Sequence, residues 1–186
     1  MDTTLILILS VALVIAVGAA IWLYTQKRKT EQLRGQFGPE YDRTVAEHGT
    51  ARVAEKQLEE RKERVEQLRL RPLEAQERDE FAGRWKSAQA QFVDDPKGAI
   101  VEADRLVGEA MQARGYPVGD FEQRAADVSV DHPRFVEHYR AAHALAQRNE
   151  HDAAETEDLR QGMVHYRALF EDLLEAGETA TTEARR

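Results

Sequence analysis

The strongest pattern along the chain is an unbroken apolar run at residues 5–24, with no charged side chain inside it. A helix needs roughly 20 apolar residues to cross a bilayer, because each residue adds about 1.5 Å towards a hydrocarbon core ~30 Å thick. Trp22 and Tyr24 stand at one end of the run, where aromatic rings favour the headgroup region. The pattern therefore predicts a single transmembrane helix, preceded by a short N-terminus at residues 1–4.

The charges around the run predict which way it crosses. Asp2 is the only charged side chain before it, whereas Lys27, Arg28 and Lys29 follow at once. Basic flanks stay on the cytoplasmic side, so we expect the N-terminus outside and the remaining chain in the cytoplasm, at a bacterial inner membrane. A cleaved secretory signal is the alternative, because residues 17–20 are small, although the basic start of such signals is absent.

Polar, helix-favouring residues follow the run. Residues 25–37 are expected to form a basic juxtamembrane linker, and residues 38–71 a long charged stalk helix. An apolar seam with coiled-coil spacing runs along this helix but is interrupted by Arg61. Its members are Ala51, Ala54, Leu58, Val65 and Leu68. The broken seam favours a stalk that packs on the body of the protein over a weak oligomerising coiled coil.

Residues 72–176 carry the period of amphipathic helices, and no stretch alternates with the period of a strand. The clearest stripe, spaced for one face of a helix, consists of Phe81, Trp85, Ala88 and Phe92. The expected body is one acidic bundle of four to five helices, followed by a disordered tail at 177–186. The predicted fold class is therefore all-α.

Capping residues predict where helices of the body begin. Asp95 precedes Pro96, and Asp120 stands three residues before Gln123, as in a capping box. Pro133 is expected to open a further helix, and the last helix is expected at residues 156–175.

Charge and cysteine content exclude two classes of function. The formal net charge is −8, and most of the acidic excess lies in residues 72–186. An acidic body repels phosphate, so the chain lacks the electrostatic footprint of a nucleic-acid-binding protein. The chain has no cysteine, so it holds neither a disulfide framework nor a thiolate site.

The six histidines raise the question of a metal site. His138 and His143 differ by five positions, which places them about 140° apart on a helix and prevents joint chelation. Neither Glu-x-x-His nor His-Glu-x-x-His occurs. Surface or capping histidines are the better interpretation, so we predict no metal site and no cofactor.

Ser129, Asp131 and His132 lie close enough in sequence to suggest nucleophilic catalysis. A catalytic triad requires its members to converge in space, which neighbours in a connection between helices rarely do. A capping role at the helix expected from Pro133 explains them more simply. We therefore predict no catalytic residue and a protein that is not an enzyme.

Two segments could serve either a structural role or a binding role. The loop from Gly115 to Asp120 is typical of a helix end and the next cap, but it would also suit a partner-docking loop with Tyr116 and Phe121 exposed. The stripe around Trp85 could line a ligand groove, although core packing is its ordinary use.

Several segments of the body together resemble a group of bacterial proteins. They are residues 115–127, 131–133, 139–143 and 165–170. These resemble single-pass helical proteins of GC-rich bacteria, some of them labelled membrane and some secreted, and the likeness extends from Gln36 to Leu174. No activity is attached to that group, so the resemblance implies no catalytic or binding residues.

The expected function is that of a non-enzymatic adaptor or scaffold. It would present an acidic helical module at the membrane, with the lipid bilayer and a protein as partners. The alternative is a secreted or periplasmic helical protein that binds a small ligand.

Overall fold

The computed structural model describes the backbone of residues 3–150 and 154–183, and the side chains of residues 12–149 and 154–175. All regular structure in these ranges is helical, which confirms the all-α prediction. The eight helices are α1 (Thr3–Phe37), α2 (Pro39–His48), α3 (Ala51–Glu66), α4 (Ala75–Gln91), α5 (Pro96–Ala113), α6 (Phe121–Asp131), α7 (Val136–Glu150) and α8 (Thr156–Glu183).

The first helix is longer than predicted. α1 continues for 35 residues, so residues 25–37 are helical rather than a linker. It ends where Gly38 adopts a positive φ of 52° and Pro39 opens α2. No residue between Tyr24 and Phe37 removes a backbone donor as proline would, so nothing interrupts the helix before that point.

No helix combines the length and apolarity needed to cross a membrane within the residues whose side chains are described. The structure therefore does not support the predicted transmembrane helix at residues 5–24. Residues 5–11 of that segment lie outside the described side chains.

The single stalk helix predicted for residues 38–71 is wrong, because the structure has two helices there. Gly49 closes α2 with a left-handed φ of 75° and donates its N–H to the carbonyl of Val45. Thr50 then caps α3 by accepting from the N–H of Val53. This αL glycine followed by a capping threonine stops one helix and starts the next. We call α2 and α3 together the hairpin.

Helices α4 to α8 form the body, within the predicted four to five helices. Phe81, Trp85 and Ala88 are buried in its core, as their spacing predicts. The Trp85 ring stacks on Phe170 of α8 with centroids 4.6 Å apart. A second, smaller core joins the end of α1 to the hairpin and α6; its buried members are Leu33, Phe37, Tyr41, Leu58, Val65 and Val130.

Three of the four predicted helix starts in the body are confirmed, including the start of α8 at Thr156. Asp95 accepts from the N–H of Gly98, and Asp120 accepts from the N–H of Gln123. Pro133 does not open α7, which begins at Val136 after a turn. At the other end of the body, the backbone of α8 continues to Glu183, into the segment predicted as a tail. A single glycine at 177 weakens a helix by about 1 kcal/mol without ending it.

Candidate functional site

The described part of α1 has two halves with opposite surroundings. Large apolar side chains between residues 12 and 24 are 50–71% exposed; they are Leu13, Val14, Ile15, Val17, Ile21, Trp22, Leu23 and Tyr24. Nearer the C-terminal end of the helix, Leu33 and Phe37 are buried. We call residues 12–24 the anchor segment. Every side chain from residue 12 to residue 24 is exposed, so the apolar ones project to solvent on every side of the helix, whereas the end of α1 belongs to the second core.

A basic collar follows the anchor segment by one turn. Lys27, Arg28 and Lys29 are all exposed. Lys29 forms an ion pair of 2.6 Å with Glu59 of α3, whereas Lys27 lies at the limit of contact, 4.0 Å from Glu31. The collar therefore presents positive charge at the boundary between the apolar and the packed halves of α1.

A buried carboxylate joins α1 to the hairpin. Glu55 of α3 is 5% exposed. Its Oε1 accepts a hydrogen bond of 2.7 Å from the hydroxyl of Thr30 and one of 3.0 Å from the hydroxyl of Tyr41. Burial and the neighbouring Glu55 carboxylate raise the pKa of Tyr41. Side chains from α1, α2 and α3 thus meet at one acceptor, which fixes the hairpin against the helix.

A second buried carboxylate joins the hairpin to the body. Oε1 of Glu40 accepts from Nη1 of Arg61 at 2.8 Å and from Nη2 of Arg140 at 3.1 Å. Nη1 of Arg140 also donates to Glu122 at 2.7 Å. Burial alone would lower the pKa of Arg140, but its contacts with Glu122 and Glu40 outweigh it and raise that pKa. The arginine therefore stays charged at the interface between α2 and α7.

A third buried contact lies between α3 and α6. Asp127 is fully buried, and its Oδ1 accepts from Nε and Nη2 of Arg64 at 2.9 and 2.7 Å. Gln123 donates to the same oxygen at 2.9 Å. Buried charges that are paired and hydrogen-bonded hold a fixed geometry, because losing one partner is costly. The hairpin is therefore locked to the body at two separate points.

Sequence reasoning missed this junction. Charged residues in a helix-rich stretch are ordinarily solvated, so Glu40, Glu55 and Asp127 carry no local sign of burial. Glu40 and Arg140 are separated by 100 positions. The sequence hinted at a buried charged contact only in the apolar seam of the predicted stalk, where Arg61 occupies a position expected to be apolar.

The three residues weighed as a triad do not converge. The hydroxyl of Ser129 donates to the carbonyl of Ala126 at 2.7 Å, and Asp131 accepts from the hydroxyl of Tyr116 at 2.8 Å. His132 contacts Asp172 through Nδ1 and Arg114 through Nε2, the latter at 3.1 Å. The predicted capping role is also wrong, since these side chains bind elsewhere.

His132 lies beside a cleft of about 410 Å³ between the α6–α7 turn and α8. Guanidinium groups only donate, so Nε2 of His132 accepts from Arg114 and its Nδ1–H donates to Asp172. Both ring nitrogens are therefore occupied, and neither is free to take a proton from a nucleophile.

The loop at residues 115–120 and the stripe around Trp85, which the sequence suggested as a docking loop and a ligand groove, both place buried aromatic side chains in the core of the body. Tyr116 is 3% exposed. Its pKa is raised mainly by burial and further by the neighbouring Asp131 carboxylate. Phe121 is half-buried, with its ring stacked on His143 at 3.6 Å between centroids. Phe81, Trp85 and Ala88 of the stripe are buried in the core, whereas Phe92 at its end lines a pocket of about 170 Å³ together with Gln89 and Met163.

The structure brings together two histidines, His138 and His165, that their sequence positions did not suggest as neighbours. Nδ1 of His138 on α7 is 2.9 Å from Nδ1 of His165 on α8. His143 turns elsewhere, with its Nδ1 3.7 Å from Asp104. No group of three or more metal-ligating side chains occurs among the residues that the structure describes. The contact between helices joins positions 27 apart, which helical spacing along one helix cannot reveal.

Comparisons with protein-family models, with curated proteins and with solved structures give no significant match to this chain. The resemblance of residues 36–174 to single-pass proteins of GC-rich bacteria stays a prediction.

Proposed function

We propose that this protein is a membrane-anchored adaptor or scaffold, in which α1 holds an acidic helical module against a bacterial inner membrane. The observation that carries the proposal is the contrast along α1. Eight large apolar side chains of the anchor segment are exposed, while the same helix ends in a packed core.

The exposed surface is too large to face water without cost. Burying a large apolar side chain is worth about 1.5–3 kcal/mol, so covering eight of them is worth roughly 10 kcal/mol or more. Contiguous apolar surface of this size marks an interaction site for a membrane or a protein. A bilayer is the cover that suits an uncharged segment with Trp22 and Tyr24 at its end and the basic collar beyond.

The junction supports the adaptor role. Glu55, Glu40 and Asp127 fix α1 to the hairpin and the hairpin to the body, so the body would keep a set orientation relative to the anchor segment. Its acidic surface would then be presented to a protein partner in the cytoplasm, because the basic collar favours that side.

The anchor is tested by alkaline carbonate extraction of membranes from cells that express the full chain. The wild type should stay in the pellet. Val14→Arg with Ile21→Arg should release a large fraction, because arginine near a helix centre costs about 2.5–3.5 kcal/mol on insertion. The control is Val53→Arg with Val118→Arg, which changes two exposed valines outside the anchor segment and should leave the protein in the pellet.

The mass of the mature N-terminus tests whether the anchor is retained. A topology reporter tests whether the body lies in the cytoplasm. Retention of residues 5–24 is expected, together with cytoplasmic activity of a reporter fused after Arg186. Replacing Lys27, Arg28 and Lys29 with glutamate should weaken that orientation. A mature chain that begins near Ala20 or later would overturn the anchor and favour a secreted or periplasmic protein. Crosslinking in native membranes would then test whether the body contacts a protein partner.

A further inference from the structure

His138 and His165 face each other across the contact between α7 and α8. Their Nδ1 atoms are 2.9 Å apart, and the rings lie nearly parallel, with 28° between their planes and 5.1 Å between centroids. Both side chains are half-buried, so solvent reaches the pair. Neither ring forms an ion pair with a carboxylate in the described part of the chain.

The contact requires at least one of the two imidazoles to be neutral. At 2.9 Å one Nδ1–H donates to the lone pair of the other Nδ1, and a doubly protonated pair would place two N–H groups and two positive charges against each other. Neutral imidazole is the form that coordinates metal ions.

The separation of the two nitrogens fits a shared metal ion. Imidazole nitrogens bind at about 2.0–2.1 Å, so two of them at right angles around one ion lie about 2.9 Å apart. At the tetrahedral angle the separation is about 3.4 Å. The observed distance therefore matches adjacent positions of a tetragonal site, which nitrogen ligands form with Cu²⁺ and Ni²⁺.

We propose that His138 and His165 form a two-histidine site for a divalent late first-row transition metal, which ties α7 to α8. Both rings take the Nε2–H tautomer, and small rotations about their Cβ–Cγ bonds bring the two Nδ1 lone pairs onto one ion. Water fills the remaining coordination positions. The Irving–Williams order places Cu²⁺ first, with Ni²⁺ and Zn²⁺ weaker.

The other histidines with described side chains are already engaged. His48 contacts the carbonyl of Thr44 at 3.0 Å. His132 is held between Arg114 and Asp172, and His143 stacks on Phe121. Only the pair between α7 and α8 presents two ring nitrogens to one point within these residues.

The test is calorimetric titration of the untagged full chain in detergent micelles with NiCl₂, an ion without redox chemistry under these conditions. The wild type should bind one Ni²⁺ per chain. Loss of an outer-shell partner alone weakens metal sites about 10–100-fold, so His138→Ala and His165→Ala should each weaken binding at least about tenfold. His48→Ala is the matched control and should bind like the wild type.

A second measurement separates lost binding from lost folding. Ni²⁺ should raise the thermal unfolding midpoint of the wild type and of His48→Ala, because a ligand of the native state stabilises it. It should leave the midpoint of His138→Asn with His165→Asn unchanged, and that variant should keep the helical circular dichroism of the wild type. Wild-type binding that survives the double substitution, or that His48→Ala abolishes, overturns the proposal.

Discussion

Glu40 of α2 accepts a hydrogen bond from Arg140 of α7 at 3.1 Å, across 100 positions of sequence. The same carboxylate oxygen accepts from Arg61 of α3. One acidic side chain therefore joins both helices of the hairpin to the body.

Glu40→Gln should destabilise the chain strongly. Removing one partner of a buried ion pair costs about 3–5 kcal/mol, and the lower end applies because Arg140 keeps its contact with Glu122. The free energy of unfolding by denaturant, measured in micelles, checks the change. Glu63→Gln, at an exposed position of α3, is the control and should stay within about 0.5 kcal/mol of the wild type. Equal effects at both positions would contradict the role of Glu40.

Trp85→Ala should remove about 3–5 kcal/mol from the free energy of unfolding, because a buried aromatic that stacks on Phe170 leaves a cavity. In a Trp22→Phe background, the fluorescence of Trp85 should be blue-shifted in the folded protein and move to the red on denaturation. Val93→Ala, at an 83% exposed position, should leave the unfolding curve unchanged. Ready quenching of Trp85 by iodide in the native state would show that the stripe faces outward.

Stability should fall as the pH drops below about 6.5, partly through His165. Burial and the charge of His138 lower the pKa of His165 from its ordinary value of 6.5. The unfolded chain therefore binds the proton first, so the contribution is complete above the unfolded pKa and is lost as the pH falls through the folded one. His165→Gln should flatten this part of the pH profile of unfolding, whereas His48→Gln should not. Identical profiles for both variants would exclude His165 as a source of the dependence.

Two glycines should respond differently to alanine. Gly49 has a φ of 75° with nothing within 4 Å of an added Cβ, so Gly49→Ala should cost only the left-handed conformation, about 1–2 kcal/mol. Gly115 has a φ of 101°, and an added Cβ would lie 2.6 Å from the carbonyl oxygen of Arg69. Gly115→Ala should therefore cost at least about 1 kcal/mol more than Gly49→Ala. Denaturant unfolding of the two variants side by side measures the difference, and equal costs would argue against a clash at Arg69.

Local sequence signals predicted most of the helices. Contacts between residues far apart in the sequence could not be predicted. Asp95 and Asp120 act within three residues of themselves, and the period of the Trp85 stripe is set by one helix, so sequence alone finds them. The break at Gly49 was missed although Gly49 and the capping Thr50 are a local signal, because the charge-dense sequence on both sides was interpreted as one helix. Glu40 and the pair of His138 with His165 depend on how helices are placed side by side, which neither spacing nor composition encodes.

If the anchor segment lies in a bilayer, as proposed, the continuity of α1 through residues 25–37 has a geometric consequence. A helix without a joint transmits rotation, and each residue added before Leu33 would turn the body by about 100° around the helix axis and move it about 1.5 Å further out. Tilt of the anchor segment would likewise become a sideways displacement of the whole acidic module. In that arrangement, the number of residues between Tyr24 and Leu33 would set the direction, around the helix axis, in which each face of the body points.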